Sequence, residues 1–355
     1  MRGFPAATAI DALRGLALSL AVFWTAGAGF TDPAVAQTSA ENGAVVLMYH
    51  RVGDSRYPST NVTIPQFEAH LAELQKDRYH VMPLPEIVAA IDQGRPLPAR
   101  TVAITFDDAY RSILEHAWPR LEARGLAFTL FVATDPVDRG VSGYLTWDEL
   151  RMLERHELVT IGSQTATHPH LPLISKTRVE TEFAASQARF RAELGTAPTL
   201  IAYPYGEYDS QVKALARQAG FTAGFGQHSG VVARASDLFA LPRFAFNEDF
   251  ADMERFALAV NALPLPVTEV VPESPVLSDE RNPPHYGFTV DPGIGPPASI
   301  NCYASGFGKV RTETLGQRVE VRIGQPLPSG RTRVNCTLHA GEGRWRWLGR
   351  QFLVP

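Results

Sequence analysis

The 355-residue sequence predicts an incomplete, seven-stranded (β/α) barrel followed by a small all-β domain. Three observations support this fold class. Short apolar runs alternate with helix-like segments up to about residue 262, which is typical of parallel strands joined by right-handed crossovers. Nine prolines then fall between residues 263 and 297, and residues 298–355 are short β-like runs separated by turn formers. A doubly wound open sheet is the alternative for the first region.

The predicted strands of the first region are short and apolar. They lie at 44–49, 101–106, 127–132, 158–162, 200–203 and 221–225. Helices are predicted between them, after the second strand to about residue 124, near 175–194 and near 209–219. Two capping-box patterns, Thr63–Gln66 and Thr146–Glu149, predict further helix starts, because the side chains at the two ends of each box satisfy exposed backbone N–H groups.

Residues 1–36 are predicted to be a signal peptide. Arg2 and Arg14 precede an apolar run at 16–30, and Ala-Val-Ala at 34–36 is the small-x-small pattern that precedes cleavage. The run is shorter than the ~20 residues that a membrane-spanning helix needs. We therefore expect an exported protein, periplasmic or secreted after cleavage. A monomer is expected, and a partner in the export machinery is left open.

Composition divides the rest of the chain into three parts. Residues 37–262 form the predicted α/β domain, and residues 263–297 a Pro-rich linker, because proline does not fit the interior of helices or sheets. Residues 298–355 form a small β-sandwich-like domain. Its two cysteines, Cys302 and Cys336, are expected to form a disulfide, since such bonds persist outside the cytoplasm.

Charge and motifs argue against several classes of partner. The net charge is only −4, whereas nucleic-acid-binding proteins usually carry a strong basic excess. No GxGxxG or GxxxxGK[ST] pattern follows a predicted strand, so no nucleotide cofactor is expected. The charge is also unevenly distributed: residues 37–297 sum to −10 and residues 298–355 to +6. We therefore expect an acidic cleft in the first region, which would suit a cationic polymer.

Polar residues follow four of the predicted strands. Asp107 and Asp108 end the strand at 101–106, His50 follows the first strand, and polar segments at 162–170 and 202–206 follow two later strands. Each has a simpler explanation alone, as a helix N-cap, a surface histidine or a turn. Because the carboxyl ends of parallel strands meet at one edge, their convergence favours a functional site there.

These segments resemble a known family. TFDD (105–108), GSQTATHPHL (162–171) and AYPYG (202–206) are similar to the successive motifs of the NodB-type polysaccharide deacetylases, carbohydrate esterase family 4. VLMYHRV (46–52) and AYPYG are most similar to the subgroup that N-deacetylates poly-β-1,6-N-acetylglucosamine. The resemblance covers about residues 44–245. It implies a hydrolase that removes N-acetyl groups from a polysaccharide with a divalent metal, Zn²⁺ being favoured.

The resemblance also implies roles for single residues. Asp107 corresponds to the general base and Asp108 to a metal ligand. His168 matches the second histidine of the family's ligand pair, and Tyr205 matches the residue whose backbone N–H helps to hold the oxyanion. In the poly-N-acetylglucosamine subgroup the general acid comes from near the first strand, the position of His50.

Two positions depart from the family pattern. Gln164 stands where the first metal-binding histidine is expected, and its neutral carboxamide oxygen is a weaker ligand, so the site is short of the three protein ligands typical of catalytic zinc. Ala202 replaces the arginine that orients the base. Arg243 is the candidate for that role, and a surface salt bridge is its alternative.

These departures leave two alternative functions open. One is a carbohydrate-binding relic that has lost catalysis through the change at Gln164. The other is a deacetylase that acts on peptidoglycan or chitin oligomers.

Overall fold

A curled, mostly parallel sheet forms the first part of the chain in the computed structural model, which describes residues 42–355. The strands of this part are β1 (Gly43–Tyr49), β2 (Arg51–Val52), β3 (Asn61–Val62), β4 (His80–Val81), β5 (Thr101–Asp107), β6 (Phe128–Val132), β7 (Val159–Ser163), β8 (Leu200–Ala202), β9 (Ala223–Phe225), β10 (Val231–Ala233) and β11 (Phe244–Ala245). The predicted signal peptide lies outside the described residues. Among residues 42–355, no helix has the length and apolar character needed to span a bilayer.

The order of the strands confirms the predicted barrel. Seven strands follow one another as β10-β1-β5-β6-β7-β8-β9, with β4 and β11 attached at β5 and β1. Every pairing along this path is parallel except that of β10 with β1. From β5 to β9 the order never reverses, whereas a doubly wound sheet reverses at its centre. The sheet is therefore an open seven-stranded (β/α) barrel.

Helices connect the parallel strands. They are α1 (Ile64–Leu74), α2 (Leu84–Asp92), α3 (Trp118–Glu122), α4 (Thr134–Asp138), α5 (Trp147–Glu154), α6 (Lys176–Leu194), α7 (Ser210–Gln218) and α8 (Met253–Val260). Both predicted capping boxes are present, with Thr63 at the start of α1 and Thr146 at the start of α5. Residues 175–194 and 209–219 were expected to be helical, and α6 and α7 confirm them.

Burial of β5 brings its last residue into the protein interior. All seven residues of β5 are buried, as expected for a central parallel strand that is covered on both faces. Asp107 is therefore a carboxylate without solvent contact, and it needs a partner in the fold.

The second part of the chain is an all-β domain built on one eight-stranded sheet. Its strands are β12 (Leu263–Pro264), β13 (Val267–Val271), β14 (Tyr286–Val290), β15 (Asn301–Ala304), β16 (Gly308–Leu315), β17 (Arg318–Arg322), β18 (Gly330–His339) and β19 (Trp345–Val354). They are ordered β12-β19-β18-β15-β16-β17-β14-β13. Cys302 and Cys336 lie directly opposite each other on β15 and β18 and form the predicted disulfide.

The Pro-rich segment 263–297 is part of this sheet, so the prediction of a linker is wrong. It contains β12, β13 and β14, and Tyr286 and Phe288 of β14 are fully buried in the core of the domain. Pro264 lies in a strand, but that strand is at one edge of the sheet. The other prolines of the segment fall between strands, where no ladder hydrogen bond is lost.

The two parts of the chain pack directly against each other. Trp347 of β19 meets Phe244 of β11 edge to face, with ring centroids 5.3 Å apart. Gly349 lies so close to Ser229 that a Cβ added there would be 2.1 Å from the Ser229 carbonyl oxygen. This close approach requires glycine, and it places β18 and β19 beside the carboxyl edge of the barrel.

Candidate active site

The floor of the site is a buried ion pair. Arg243 donates from Nη1 to Asp107 Oδ1 at 2.7 Å and from Nη2 to Asp107 Oδ2 at 2.8 Å, and both side chains are fully buried. Arg243 also donates from Nε to the carbonyl oxygen of Gly226 at 3.0 Å and from Nη1 to Thr105 Oγ1 at 3.2 Å. Four hydrogen bonds to three residues therefore hold the guanidinium, and its ion pair with Asp107 is buried and not at the surface.

A second polar pair lies beside this floor. Asp108 follows β5, and its Oδ1 atom is 3.5 Å from Nε2 of His168, which follows β7. Burial lowers the pKa of the His168 imidazole, and the negative charges of Asp108 and Asp107 offset part of that shift. The neutral imidazole is therefore favoured, which is the form that binds metal ions.

Gln164 lies directly behind Asp108. Its side chain is fully buried at the end of β7, and its Oε1 atom accepts a hydrogen bond from the backbone N–H of Asp108 at 3.0 Å. Within residues 42–355, its Nε2 atom has no hydrogen-bond partner. The carboxamide oxygen thus holds the backbone of Asp108, whose φ of 72° is in the left-handed region.

Tyr205 forms the opposite side of the site. Its ring stacks on His170 with centroids 4.0 Å apart and meets His168 edge to face at 4.6 Å. Its carbonyl oxygen accepts hydrogen bonds from Arg331 Nη1 at 3.3 Å and from Gln351 Nε2 at 3.0 Å. Two residues of the all-β domain therefore hold the turn that carries Tyr205.

Backbone strain is concentrated around this site. The structure contains eight non-glycine residues with positive φ between residues 42 and 355. Five of them belong to the segments just described: Asp108, Ala109, Thr165, His168 and Tyr205. Such conformations cost about 1–3 kcal/mol each, and they collect where a site depends on them. The strain therefore marks the same strand ends that the motifs indicate.

A cavity of about 900 Å³ opens over these residues. His50, Asp108, His168 and Tyr205 line it, whereas Asp107, Gln164 and Arg243 lie behind its surface. The structure thus brings all seven predicted site residues to one edge of the barrel.

The cavity is basic, so the prediction of an acidic cleft is wrong. Its ionised lining consists of two aspartates, Asp108 and Asp135, and four arginines, Arg139, Arg255, Arg331 and Arg333. Arg331 and Arg333 come from β18 of the basic all-β domain. The prediction was based on the net charge of the first region alone, whereas the cavity is lined by residues of both parts of the chain.

The sequence and the structure of this chain are similar to those of known proteins. Residues 94–224 match the family model described as polysaccharide deacetylase. Residues 94–224 are therefore a polysaccharide deacetylase domain, and this match supports an N-deacetylase, which is a hydrolase.

Individual relatives point the same way. The poly-β-1,6-N-acetyl-D-glucosamine N-deacetylase of Staphylococcus aureus strain MSSA476 is 26% identical over 236 residues, which cover 59% of this chain and 80% of that protein. The structure of IcaB from Ammonifex degensii is 25% identical with a TM-score of 0.55, covering 62% of this chain and 97% of that one. The Streptococcus pyogenes deacetylase PplD, solved in complex with acetate, has a TM-score of 0.57 at 22% identity, covering 62% and 99% of the two chains, and shows the shared fold.

The donor atoms at Asp108 and His168 fit two positions of a divalent metal site. Two ligands of a tetrahedral zinc ion, each ~2.0–2.1 Å from the metal, lie about 3.3 Å apart, close to the 3.5 Å between these atoms. Between residues 42 and 355 there is no cluster of three or more His, Cys, Asp and Glu side chains suited to a metal ion. The pair therefore fits a cation with one protein ligand fewer than usual.

Sequence reasoning missed the contribution of the all-β domain. Arg331, Arg333 and Asn335 of β18 line the cavity, and Gln351 of β19 supports the Tyr205 turn. Glu207 was also missed; its Oε2 atom lies 2.7 Å from His170 Nδ1. None of these residues belongs to a recognisable motif. The positive charge of residues 298–355 was the one available signal.

Proposed function

We propose that this protein removes N-acetyl groups from an N-acetylglucosamine-containing exopolysaccharide, with poly-β-1,6-N-acetylglucosamine as the favoured type. The observation that carries the proposal is the buried Asp107–Arg243 pair directly beside the Asp108–His168 pair, at the base of a cavity of about 900 Å³. The S. aureus relative, which is named for this reaction, supports the choice of substrate.

Asp107 acts as the general base. The bidentate contact with Arg243 fixes the plane of the carboxylate and leaves each oxygen with a further acceptor direction. Asp107 lies behind the cavity surface next to Asp108, and in this role it takes a proton from the water that attacks the acetyl carbonyl carbon once water and substrate have entered beside it. Arg243 is a positioning residue, since it touches Asp107 and lies behind the cavity surface.

His50 and Tyr205 serve the other two needs of amide hydrolysis. The backbone N–H of Tyr205 stabilises the oxyanion of the tetrahedral intermediate. His50 donates a proton to the amine as the carbon–nitrogen bond breaks, so that acetate and a glucosamine unit leave. Arg331 and Gln351 support this step indirectly, because they hold the Tyr205 turn through its carbonyl oxygen.

Asp108 and His168 would hold a divalent metal, with Zn²⁺ favoured. A metal at this position would polarise the acetyl carbonyl and stabilise negative charge on its oxygen. Gln164 would join as a ligand through the same oxygen that accepts the hydrogen bond from the backbone N–H of Asp108, by its second lone pair. We further propose that the chain is exported by means of residues 1–36 and acts outside the cytoplasm.

Acetate release from defined oligomers tests this function. The substrates are pentamers of β-1,6-linked and β-1,4-linked N-acetylglucosamine and a peptidoglycan fragment, each with Zn²⁺ supplied and with EDTA added. We expect the highest kcat/KM with the β-1,6-linked pentamer, loss of activity in EDTA, and a fall of about 10²–10⁴-fold in kcat for Asp107→Asn.

The outcome separates the alternatives. A preference for the β-1,4-linked pentamer or for the peptidoglycan fragment would replace the exopolysaccharide as substrate. Binding of the oligomers without acetate release by folded, zinc-supplied protein would favour the carbohydrate-binding relic. Acetate release that survives complete chelation would overturn the metal at Asp108 and His168. Melting curves of Asp107→Asn verify that the variant is folded.

A further inference from the structure

Arginines of the all-β domain form one wall of the cavity. Arg331 and Arg333 lie on β18, and Arg255, on α8, acts electrostatically on Arg333 from the barrel side. Within the described chain, neither Arg333 nor Arg255 has a carboxylate within salt-bridge distance. Among the described carboxylates, Arg331 contacts Glu207 at long range, with 3.7 Å from Nε to Glu207 Oε1. This wall therefore carries more positive charge than the fold neutralises.

The contacts of Arg333 are weak and neutral. Its Nε donates to Gln351 Oε1 at 3.2 Å and its Nη2 to Gln227 Oε1 at 3.4 Å. Arg255 has one long hydrogen bond, from Nη2 to the carbonyl oxygen of Ala245 at 3.4 Å, while its buried Nε has no partner within residues 42–355. Both guanidiniums therefore have N–H donors left for a ligand.

The electrostatic environment of the two residues is unfavourable without a ligand. Burial lowers the pKa of Arg333, and the positive charges of Arg331 and Arg255 lower it further. Burial also lowers the pKa of Arg255, opposed by the charge of Asp252 at the N-cap of α8. Both side chains are half-buried, and partly desolvated charges are costly unless paired, so an anion at this wall would relieve the repulsion and part of the cost of burial.

The other arginine of the cavity provides an internal contrast. Arg139 lies 3.2 Å from Asp135, four positions earlier on the same helical turn, and both are well exposed. Its charge is locally compensated. The uncompensated charge is thus confined to the wall that β18 and α8 form.

We infer that Arg255 and Arg333, with Arg331 at their side, form a subsite for an anionic group of the polysaccharide, carried by a sugar next to the one that is deacetylated. The guanidinium fork matches carboxylate and phosphate oxygens. Neutral polar side chains in the same lining, Ser305 and Asn335, suit sugar hydroxyls. This inference rests on the proposed deacetylation, and it narrows the substrate from a neutral N-acetylglucosamine polymer to an acidic N-acetylated polysaccharide.

The subsite predicts a preference among substrates. The probes are a neutral β-1,6-linked N-acetylglucosamine oligomer, an oligomer in which N-acetylglucosamine alternates with glucuronic acid, and an N-acetylglucosamine oligomer joined by phosphodiesters. We expect a higher kcat/KM for at least one acidic oligomer than for the neutral oligomer. Comparison of the two acidic oligomers distinguishes a carboxylate from a phosphate as the bound group. In Arg333→Gln and Arg255→Gln the acidic-to-neutral ratio of kcat/KM falls about 10-fold or more.

Arg311→Gln is the matched control, because Arg311 is exposed, paired with Glu313 on β16, and outside the cavity lining. It removes the same charge from the same domain and should leave the ratio unchanged. The subsite would be overturned if the acidic-to-neutral ratio of kcat/KM were near one in the unaltered protein. It would also be overturned if this ratio were the same in Arg333→Gln, Arg255→Gln and Arg311→Gln. In that case acetate release from the neutral oligomer would still support the proposed function.

Titration calorimetry tests the anionic subsite by binding alone, without catalysis. The acidic oligomers are titrated into the protein in EDTA, and we expect the Kd to rise about 10-fold or more in Arg333→Gln and to remain unchanged in Arg311→Gln. Equal Kd values for the acidic oligomers in all variants would refute the anionic subsite, whether or not acetate is ever released. Loss of acetate release with retained acidic binding would instead contradict the proposed function alone.

Discussion

Two arginines at the same cavity differ in how their charge is compensated. Arg243 lies behind the barrel side of the site, fully buried, with both carboxylate oxygens of Asp107 in its fork. Arg333 lies on the all-β side, and within residues 42–355 its side chain donates to two glutamine oxygens, at 3.2 and 3.4 Å. A charge with a built-in partner serves to position a neighbouring group. A desolvated charge without one lowers stability until a ligand arrives, so the two walls have different tasks.

Removal of the paired arginine has the largest expected effect. Arg243→Met should lower the free energy of unfolding by about 3–5 kcal/mol, because it leaves the Asp107 carboxylate buried without compensation. Chemical denaturation monitored by fluorescence measures the loss. Arg139→Met removes one partner of an exposed pair and should change stability little.

A double variant tests whether the stability loss in Arg243→Met comes from the unpaired Asp107 carboxylate. Asp107→Leu combined with Arg243→Met removes both charges, and it should recover most of the stability that Arg243→Met loses, although not activity. A loss below about 1 kcal/mol in the single variant would show that the pair does not anchor the floor of the site.

Gln164 is the exception on the barrel side. It is buried, and its Nε2 atom has no hydrogen-bond partner among the described residues, so this side too holds an unsatisfied polar group. Gln164→His should raise zinc affinity on the order of 10-fold or more, because imidazole would supply a third protein ligand beside Asp108 and His168. Titration against a chelating indicator measures the affinity.

A surface histidine controls for nonspecific metal binding. Gln93 is exposed after α2, and Gln93→His adds the same side chain outside the cavity lining. Unchanged or weaker zinc affinity in Gln164→His would mean that the main task of Gln164 is to hold the backbone N–H of Asp108, which histidine would then release.

The barrel side of the site could be predicted because topology alone brings its residues together. His50, Asp108, Gln164 and Tyr205 each follow a strand, and the carboxyl ends of parallel strands meet at one edge. Arg243 could be predicted from a chemical requirement. The base needs a cationic partner, and Ala202 stands at the position where the family has an arginine for that role, so another arginine has to supply it. Its place between β10 and β11 gives no other sign of that contact.

The all-β side could not be predicted, for two physical reasons. Proline content indicated a linker at 263–297, but composition does not show which strands will lie at the edge of a sheet, where proline is tolerated. The contacts of Arg331 and Gln351 with Tyr205 join residues more than a hundred positions apart, and no motif marks them. Both the edge position of the strand and the contacts with Tyr205 depend on long-range packing, which local sequence patterns do not predict.

The smallest expected effect tests the unpaired arginine directly. Arg333→Gln should leave the free energy of unfolding unchanged or raise it by about 0.5–1 kcal/mol at low salt, because it removes a desolvated charge that Arg331 and Arg255 repel. Denaturation curves at low and high salt measure the change, which should shrink as salt screens the repulsion. Arg311→Gln, which breaks an exposed pair, should show no such gain. A loss above about 2 kcal/mol in Arg333→Gln would mean that Arg333 stabilises the fold as Arg243 does, and the difference between the two walls would disappear.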